Sequence, residues 1–184
     1  MSTTSNITEE DLLRLPRDGR KYELVDGEIR VSPAGGRHGQ VSVHLVIVLG
    51  AYVRERRLGV VLESSTGFRL AGRKPDQKDV RSPDVSFVAA GRLPADKAPV
   101  GFIELAPDLA VEVLSPDDRT RDVLDKVGEF LGAGTRLVWV LDPQKRVAAV
   151  YRSLTDLRHL GESDSLDGED VIPGFSCQLR EIFV

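Results

Sequence analysis

Six consecutive residues, Leu109-Ala110-Val111-Glu112-Val113-Leu114, constrain this chain more than any other stretch. Their aliphatic and β-branched side chains read as a short strand covered on both faces, yet a carboxylic acid stands inside it. Alternation sets Val111 and Val113 on one face and Ala110, Glu112 and Leu114 on the other, so Glu112 looks into an apolar environment. A carboxylate there is costly unless it is paired, protonated or bound to a cation. A plain buried ion pair meets that requirement, and so does a metal ion.

A second acid lies upstream, where Asp84 follows Pro83 at the head of the apolar run Val85-Ser86-Phe87-Val88. Parity groups Asp84 with Ser86. If the two strands pair antiparallel, Asp84 and Glu112 project from the same face within reach of one ion. Carboxylate oxygens suit Mg2+ or Mn2+, and the backbone carbonyl of Val113 could add a third ligand. Asp84 could instead merely cap the turn after Ser82-Pro83. The third candidate is Lys126, on a helix expected over Arg119 to Gly132 with the inward stripe Val123, Leu124, Val127, Phe130 and Leu131. From the flank of that stripe an ammonium reaches the sheet edge, where it can orient or deprotonate a water and counter charge developing on a phosphate. On helix position alone it could equally be a surface lysine paired with Asp122 at i−4.

The rest of the chain frames these residues. Ile7 to Arg14 reads as a short helix capped by Thr8, and Lys21 to Val25 with Glu28 to Val31 as a hairpin turned at Asp26-Gly27, whose positions both need positive φ. Ser32 to Gly39 holds Pro33, Gly35, Gly36 and Gly39 and is expected as a loop. Gln40 to Arg57 follows as a helix with Val41, Leu45, Val48, Leu49 and Tyr52 inward. Strands are expected at Val60 to Arg69, bent near Gly67, at Asp84 to Val88 and at Leu109 to Leu114, with loops at 73–81 and 90–107. Arg136 to Leu141 is an apolar strand and Arg146 to Arg152 alternates after an Asp142-Pro143 turn. These elements predict an α/β fold in which a mixed central sheet is flanked by the two longer helices, with a peripheral N-terminal hairpin. No linker or repeat divides the 184 residues, which read as a single domain, 1–184.

Composition narrows the function classes. Cys177 is the single cysteine, which excludes an internal disulfide and a CxxC metal clip. No apolar run approaches the ~18 residues that span a bilayer, and Met1 to Asp11 lacks the succession of a signal peptide, so a cytoplasmic protein without membrane attachment is expected. The net charge of −4 argues against a non-specific nucleic-acid coat. Five acids crowd Glu162 to Asp170, however, and without them the remainder is close to neutral, so a local basic surface can still hold a polyanion.

At the residues singled out first, the sequence resembles the Uma-type family of restriction-endonuclease-like proteins. Ser82-Pro83-Asp84-Val85, the run Leu109 to Pro116, and Lys126 within Asp122-Val123-Leu124-Asp125-Lys126 carry the resemblance. Tyr22 to Gly27, the Ser32-Pro33 to His38 loop, Val138 to Pro143 and Pro173-Gly174-Phe175 extend it, in the same order, over nearly the whole chain. The resemblance implies the PD-(D/E)XK nuclease fold, Asp84 and Glu112 as metal carboxylates, Mg2+ with Mn2+ able to substitute, and hydrolysis of phosphodiesters in nucleic acid, DNA foremost; a homodimer is a candidate assembly. Leu114 stands where the superfamily pattern has lysine, which would pass that role to Lys126. The resemblance also brings Glu23 into the site as an extra metal ligand and His38 as a water or phosphate contact. Read from the residues alone, Glu23 could be a solvated hairpin residue and His38 a loop histidine.

Two rival classes remain at this level. A non-catalytic module could keep the fold and bind nucleic acid or a partner protein, in line with the acidity and the missing Glu-Xaa-Lys triplet. The two acids could also be the pair of a glycosidase, although only 5% aromatic residues leaves little to stack on sugar rings. The glycines at 35–39 lack a Walker lysine, and neither His44, His159 nor Cys177 has catalytic partners at motif spacing.

Overall fold

Asp26 and Gly27 turn the chain at φ 52° and 80°, and so pair β1 (Lys21–Val25) with β2 (Glu28–Ser32) in the hairpin that the dipeptide predicts. The structure, a computed structural model, describes residues 7–16, 21–32, 35–71, 78–93 and 99–183. Pro33 of the expected loop, residues 73–77 and residues 94–98 lie outside them. The hairpin is not peripheral. β1 also pairs with β5 (Lys78–Arg81), which pairs with β4 (Phe68–Ala71), giving an antiparallel four-stranded sheet in the order β2-β1-β5-β4. Ahead of it, Thr8 caps α1 (Glu9–Leu13) through a reciprocal pair of bonds with Asp11.

Residues 78–81, expected as loop, are strand for a reason that hydrophobic alternation hides. The buried positions of Lys78-Asp79-Val80-Arg81 include Asp79 and Arg81, which are charged, so the run never shows an apolar period. The single bent strand expected at 60–69 is two strands in different sheets, β3 (Gly59–Glu63) and β4. Between them the chain turns, and at Gly67 an added Cβ would come within 2.5 Å of the Phe102 ring. Only glycine passes there.

The larger sheet has six strands in the order β10-β9-β8-β7-β6-β3, where β6 is Val85–Ala89, β7 Leu109–Val113, β8 Leu137–Asp142, β9 Val147–Tyr151 and β10 Leu157–Leu160. β7 and β8 are parallel and the other pairs antiparallel, so the sheet is mixed as expected. The parallel pair is joined by α3 (Thr120–Gly132), the crossover helix such a pair requires. On the opposite face lies α2 (Gly36–Arg56), closed by Arg57 in the left-handed conformation. A small pair, β11 (Ser165–Asp167) with β12 (Ser176–Gln178), and α4 (Leu179–Ile182) complete the chain.

Burial follows the parity read from sequence. Val111 and Val113 join Leu45 and Leu49 of α2 and Phe175 in one core, while Ala110 joins Val127 and Phe130 of α3 and Val138 in the other. Leu45 and Leu49 are both fully buried, and truncating either to alanine should cost roughly 2–5 kcal/mol. The odd positions of β7 thus face α2 and the even ones face α3. That choice of face brings Glu112 to Lys126.

Candidate active site

The segment Ser82-Pro83-Asp84 carries the chain from the four-stranded sheet to the six-stranded one, and the polar cluster gathers at this crossing. The register of β6 on β7, Val85 opposite Val111 and Ser86 opposite Ala110, continues one step to set Asp84 opposite Glu112. The antiparallel pairing that the shared-face argument needs is therefore present. Asp84 is anchored on β7 twice: its N–H donates to the Val111 carbonyl at 2.9 Å, and its Oδ2 accepts from the Val113 N–H at 2.8 Å. The turn-cap alternative for Asp84 is replaced by these cross-strand bonds.

Basic side chains close on the two acids from three elements. Lys21 of β1 donates to Asp84 Oδ1 at 2.8 Å, and His38 Nε2 lies 3.0 Å from Asp84 Oδ2. Lys126 of α3 donates to Glu112 Oε2 at 3.1 Å and stands 3.3 Å from Glu23 Oε2. The ion pair of Lys126 is thus with Glu112 and Glu23 rather than on the surface with Asp122. Glu23 is 2% exposed and accepts the Ser82 N–H at 3.0 Å, so it is no solvated hairpin residue. His38 sits in the first turns of α2 and not in a loop. Gly36 and Gly39 do not forbid helix there, and the contact with Asp84 offsets their weak propensity.

Asp84, Glu112, Glu23, Lys126 and His38 accordingly come together. Two further members were missed by sequence reasoning, Lys21 and Arg81. Lys21 shares the face of Glu23 two positions along β1, so parity could have found it once Glu23 was named. Arg81 gave no such signal, because its strand was read as loop.

The electrostatics separate the three acids. Burial pushes Asp84 up, but the His38 hydrogen bond and the Lys21 charge outweigh it and hold the carboxyl well below its usual range. Glu23 is likewise held down, with Lys126, Lys21 and Arg81 overcoming its burial. Glu112 moves the other way: burial, with the Asp84 and Glu23 charges beside it, outweighs Lys126 and raises it. Burial depresses the Lys126 ammonium, yet the Glu112 and Glu23 carboxylates raise it above the ordinary lysine range. The cluster opens into a cleft of about 400 Å³ whose walls include Glu23, Arg30, Glu112, Asp118, Asp122 and Lys126.

The donor set fits a hard dication. Glu112 Oε1 is buried and has no hydrogen-bond partner, an acceptor that a cation, a water or a proton would satisfy. Among the described residues no three His, Cys, Asp or Glu side chains could by themselves hold a metal ion. Mg2+ requires no such cage, since it typically takes one or two carboxylates and keeps several waters.

Comparison with known proteins agrees with this architecture. A crystal structure titled a "putative nuclease belonging to DUF820" from Anabaena variabilis superposes with a TM-score of 0.81 at 23% identity, covering 96% of this chain and 97% of that one. Among curated proteins, an Arabidopsis thaliana BAG family molecular chaperone regulator 8 is 30% identical over 115 residues, 62% of this chain. Elongation factor Ts of Myxococcus xanthus is 28% identical over 127 residues, 64% of this chain. The chain spans 20% of the former's length and 58% of the latter's. The Uma2 family model, described as "Putative restriction endonuclease", runs through residues 9–180 and so takes in both sheets and every member of the cluster at their crossing; the chain belongs to that family.

Proposed function

We propose that the protein is a Mg2+-dependent endonuclease that hydrolyses phosphodiester bonds in DNA. The observation that carries this reading is Glu112 Oε1, a carboxylate oxygen buried and unpartnered in a residue that lines the same cleft as Lys126. Asp84, Glu112 and the Val113 carbonyl would hold Mg2+, with Mn2+ substituting. Bound there, the ion would polarise a phosphoryl oxygen and acidify a water. The chain's own residues do the rest. Asp84 is fixed by the Val113 N–H, so its position does not depend on the ion. Glu23 holds the Lys126 ammonium beside Glu112, where it can donate to a phosphate oxygen or to the attacking water. Lys21 on Asp84 supplies further positive charge for a polyanion, and His38 a ring nitrogen on the same carboxylate.

One observation favours a second reading, a non-catalytic nuclease-fold module that binds nucleic acid or a partner protein. Asp84 is paired with Lys21 and His38, and both Glu23 and Glu112 with Lys126, so every acid of the cluster already has a partner within the chain. Purified protein decides between them. Cutting or nicking of plasmid DNA with Mg2+, lost in EDTA and lost in Asp84→Ala and Glu112→Ala, supports the enzyme. DNA or protein binding without turnover, unchanged by Asp84→Ala, supports the module.

A further inference from the structure

Among the described residues Arg81 is the largest fully buried charged side chain. Its guanidinium is fully enclosed, and it reaches across two elements: Nε donates to Glu129 Oε2 of α3 at 2.6 Å, and Nη1 lies 3.4 Å from Glu23 Oε2 of β1. Glu23 Oε2 is the same oxygen that Lys126 approaches, while Oε1 is taken by the Ser82 N–H. Both oxygens of Glu23 are therefore fixed. Glu129 lies three residues beyond Lys126 on α3, on neighbouring helix surface, so the Arg81 contact pins the helix one turn from the lysine. A buried ion pair of this kind adds little stability over well-packed apolar residues. Its distinctive contribution here is direction, because a planar fork between two carboxylates sets an angle that an apolar contact would leave free.

We infer that Arg81 is a positioning residue of this site: by bracing Glu23 against Glu129 it fixes where the Lys126 ammonium stands between Glu23 and Glu112. The inference rests on the reading of Lys126 as part of the functional cleft. Without Arg81, Glu23 keeps Lys126 as its main partner, and the ammonium is drawn away from Glu112. With Arg81 replaced by lysine, one point charge cannot serve both carboxylates in the same geometry. Glu129→Gln keeps an acceptor for Arg81 but removes the charge, which loosens α3 with less risk to folding.

The experiment follows the Lys126 side chain itself. 15N spectra of the lysine ammonium groups, with the Lys126 signal assigned by its loss in Lys126→Arg, are recorded for wild type, Arg81→Lys, Arg81→Met and Glu129→Gln. Melting and far-UV circular dichroism establish which variants fold, and cleavage of plasmid DNA with Mg2+ is measured in parallel. The Lys126 signal is expected to shift or broaden in every folded variant, and kcat to fall about 10- to 100-fold with KM little changed. An unmoved Lys126 signal in folded Glu129→Gln and Arg81→Lys overturns the inference, whatever happens to stability. If the arginine variants do not fold, Glu129→Gln alone decides. If wild type cuts no DNA but the signal moves, the nuclease reading falls while the positioning role stands.

Discussion

Two clusters of alternating charge lie in this protein and behave differently. At the sheet crossing, Lys21, Glu23, Arg81, Asp84, Glu112 and Lys126 are side chains from 0% to 18% exposed. At the other end, Arg136, Arg152 and Arg158 meet Glu169 and Asp170, with exposures from 22% to 63%. Both clusters are built of basic and acidic side chains that alternate in sign. Outside, water screens each pair, and an exposed bridge is worth about 0–1 kcal/mol. Inside, removing one partner strands the other's charge, which costs roughly 3–5 kcal/mol. The difference teaches that proximity of opposite charges is not what marks a site; confinement of those charges away from water is.

Substitutions sharpen the comparison. The largest effect is expected at the acids themselves: Asp84→Ala or Glu112→Ala should lower Mg2+-dependent DNA cleavage by about 10³-fold or more, as loss of both ion and charge organisation implies, read as initial nicking rates. Lys126→Ala should come next, slowing turnover by roughly 10²-fold while Mn2+ affinity, followed by calorimetry, stays nearly unchanged. An arginine there should rescue poorly, since its fork does not occupy the position of an ammonium. In stability, Glu23→Ala should cost about 3 kcal/mol by leaving Arg81 and Lys126 short of a partner, seen as a shift of the urea midpoint. Arg158→Ala in the outer cluster should cost no more than about 1 kcal/mol, leave cleavage untouched, and lose even that difference in 1 M NaCl. Equal losses at positions 23 and 158 would break the contrast.

A last effect, absent at neutral pH, concerns Cys177, where burial and the nearby Glu181 charge push the thiol up to about 11. An unfolded chain ionises that thiol near pH 8.5, so the folded chain holds more protons between that value and about 11. Stability therefore falls as pH rises through this window. Cys177→Ala should flatten that alkaline limb of the melting curve, and wild-type thiol should react with a disulfide reagent only on unfolding.

Much of this was legible from residues. Asp26-Gly27 predicted its hairpin, and the parity of 109–114 predicted which residues of β7 face which helix, because both are local geometry. The starts of α2 and β5 were not legible for opposite reasons. Glycines at 36 and 39 advertise loop where helix forms, and Asp79 and Arg81 advertise solvent where they are buried. In each case a contact distant in sequence, His38 to Asp84 or Arg81 to Glu129, outweighs the local signal. The same reason hid Arg81 from the candidate site. The split of 60–69 between two sheets was invisible because the deciding neighbour of Gly67 is Phe102.

The crossing at Ser82-Pro83-Asp84 also governs how the site moves in time. Pro83 offers no amide, the Ser82 amide is held by Glu23 of one sheet, and the Asp84 amide by Val111 of the other. Each amide is thus gripped by the sheet on its own side of the crossing, and the carboxylates beside them are buried. Deuterium exchange at 82 and 84 should accordingly be slower than at the exposed amides of the outer charge cluster. The spacing of the Asp84 and Glu112 carboxylates is then set by the backbone pairing of Asp84 with β7, and it lasts as long as that pairing does.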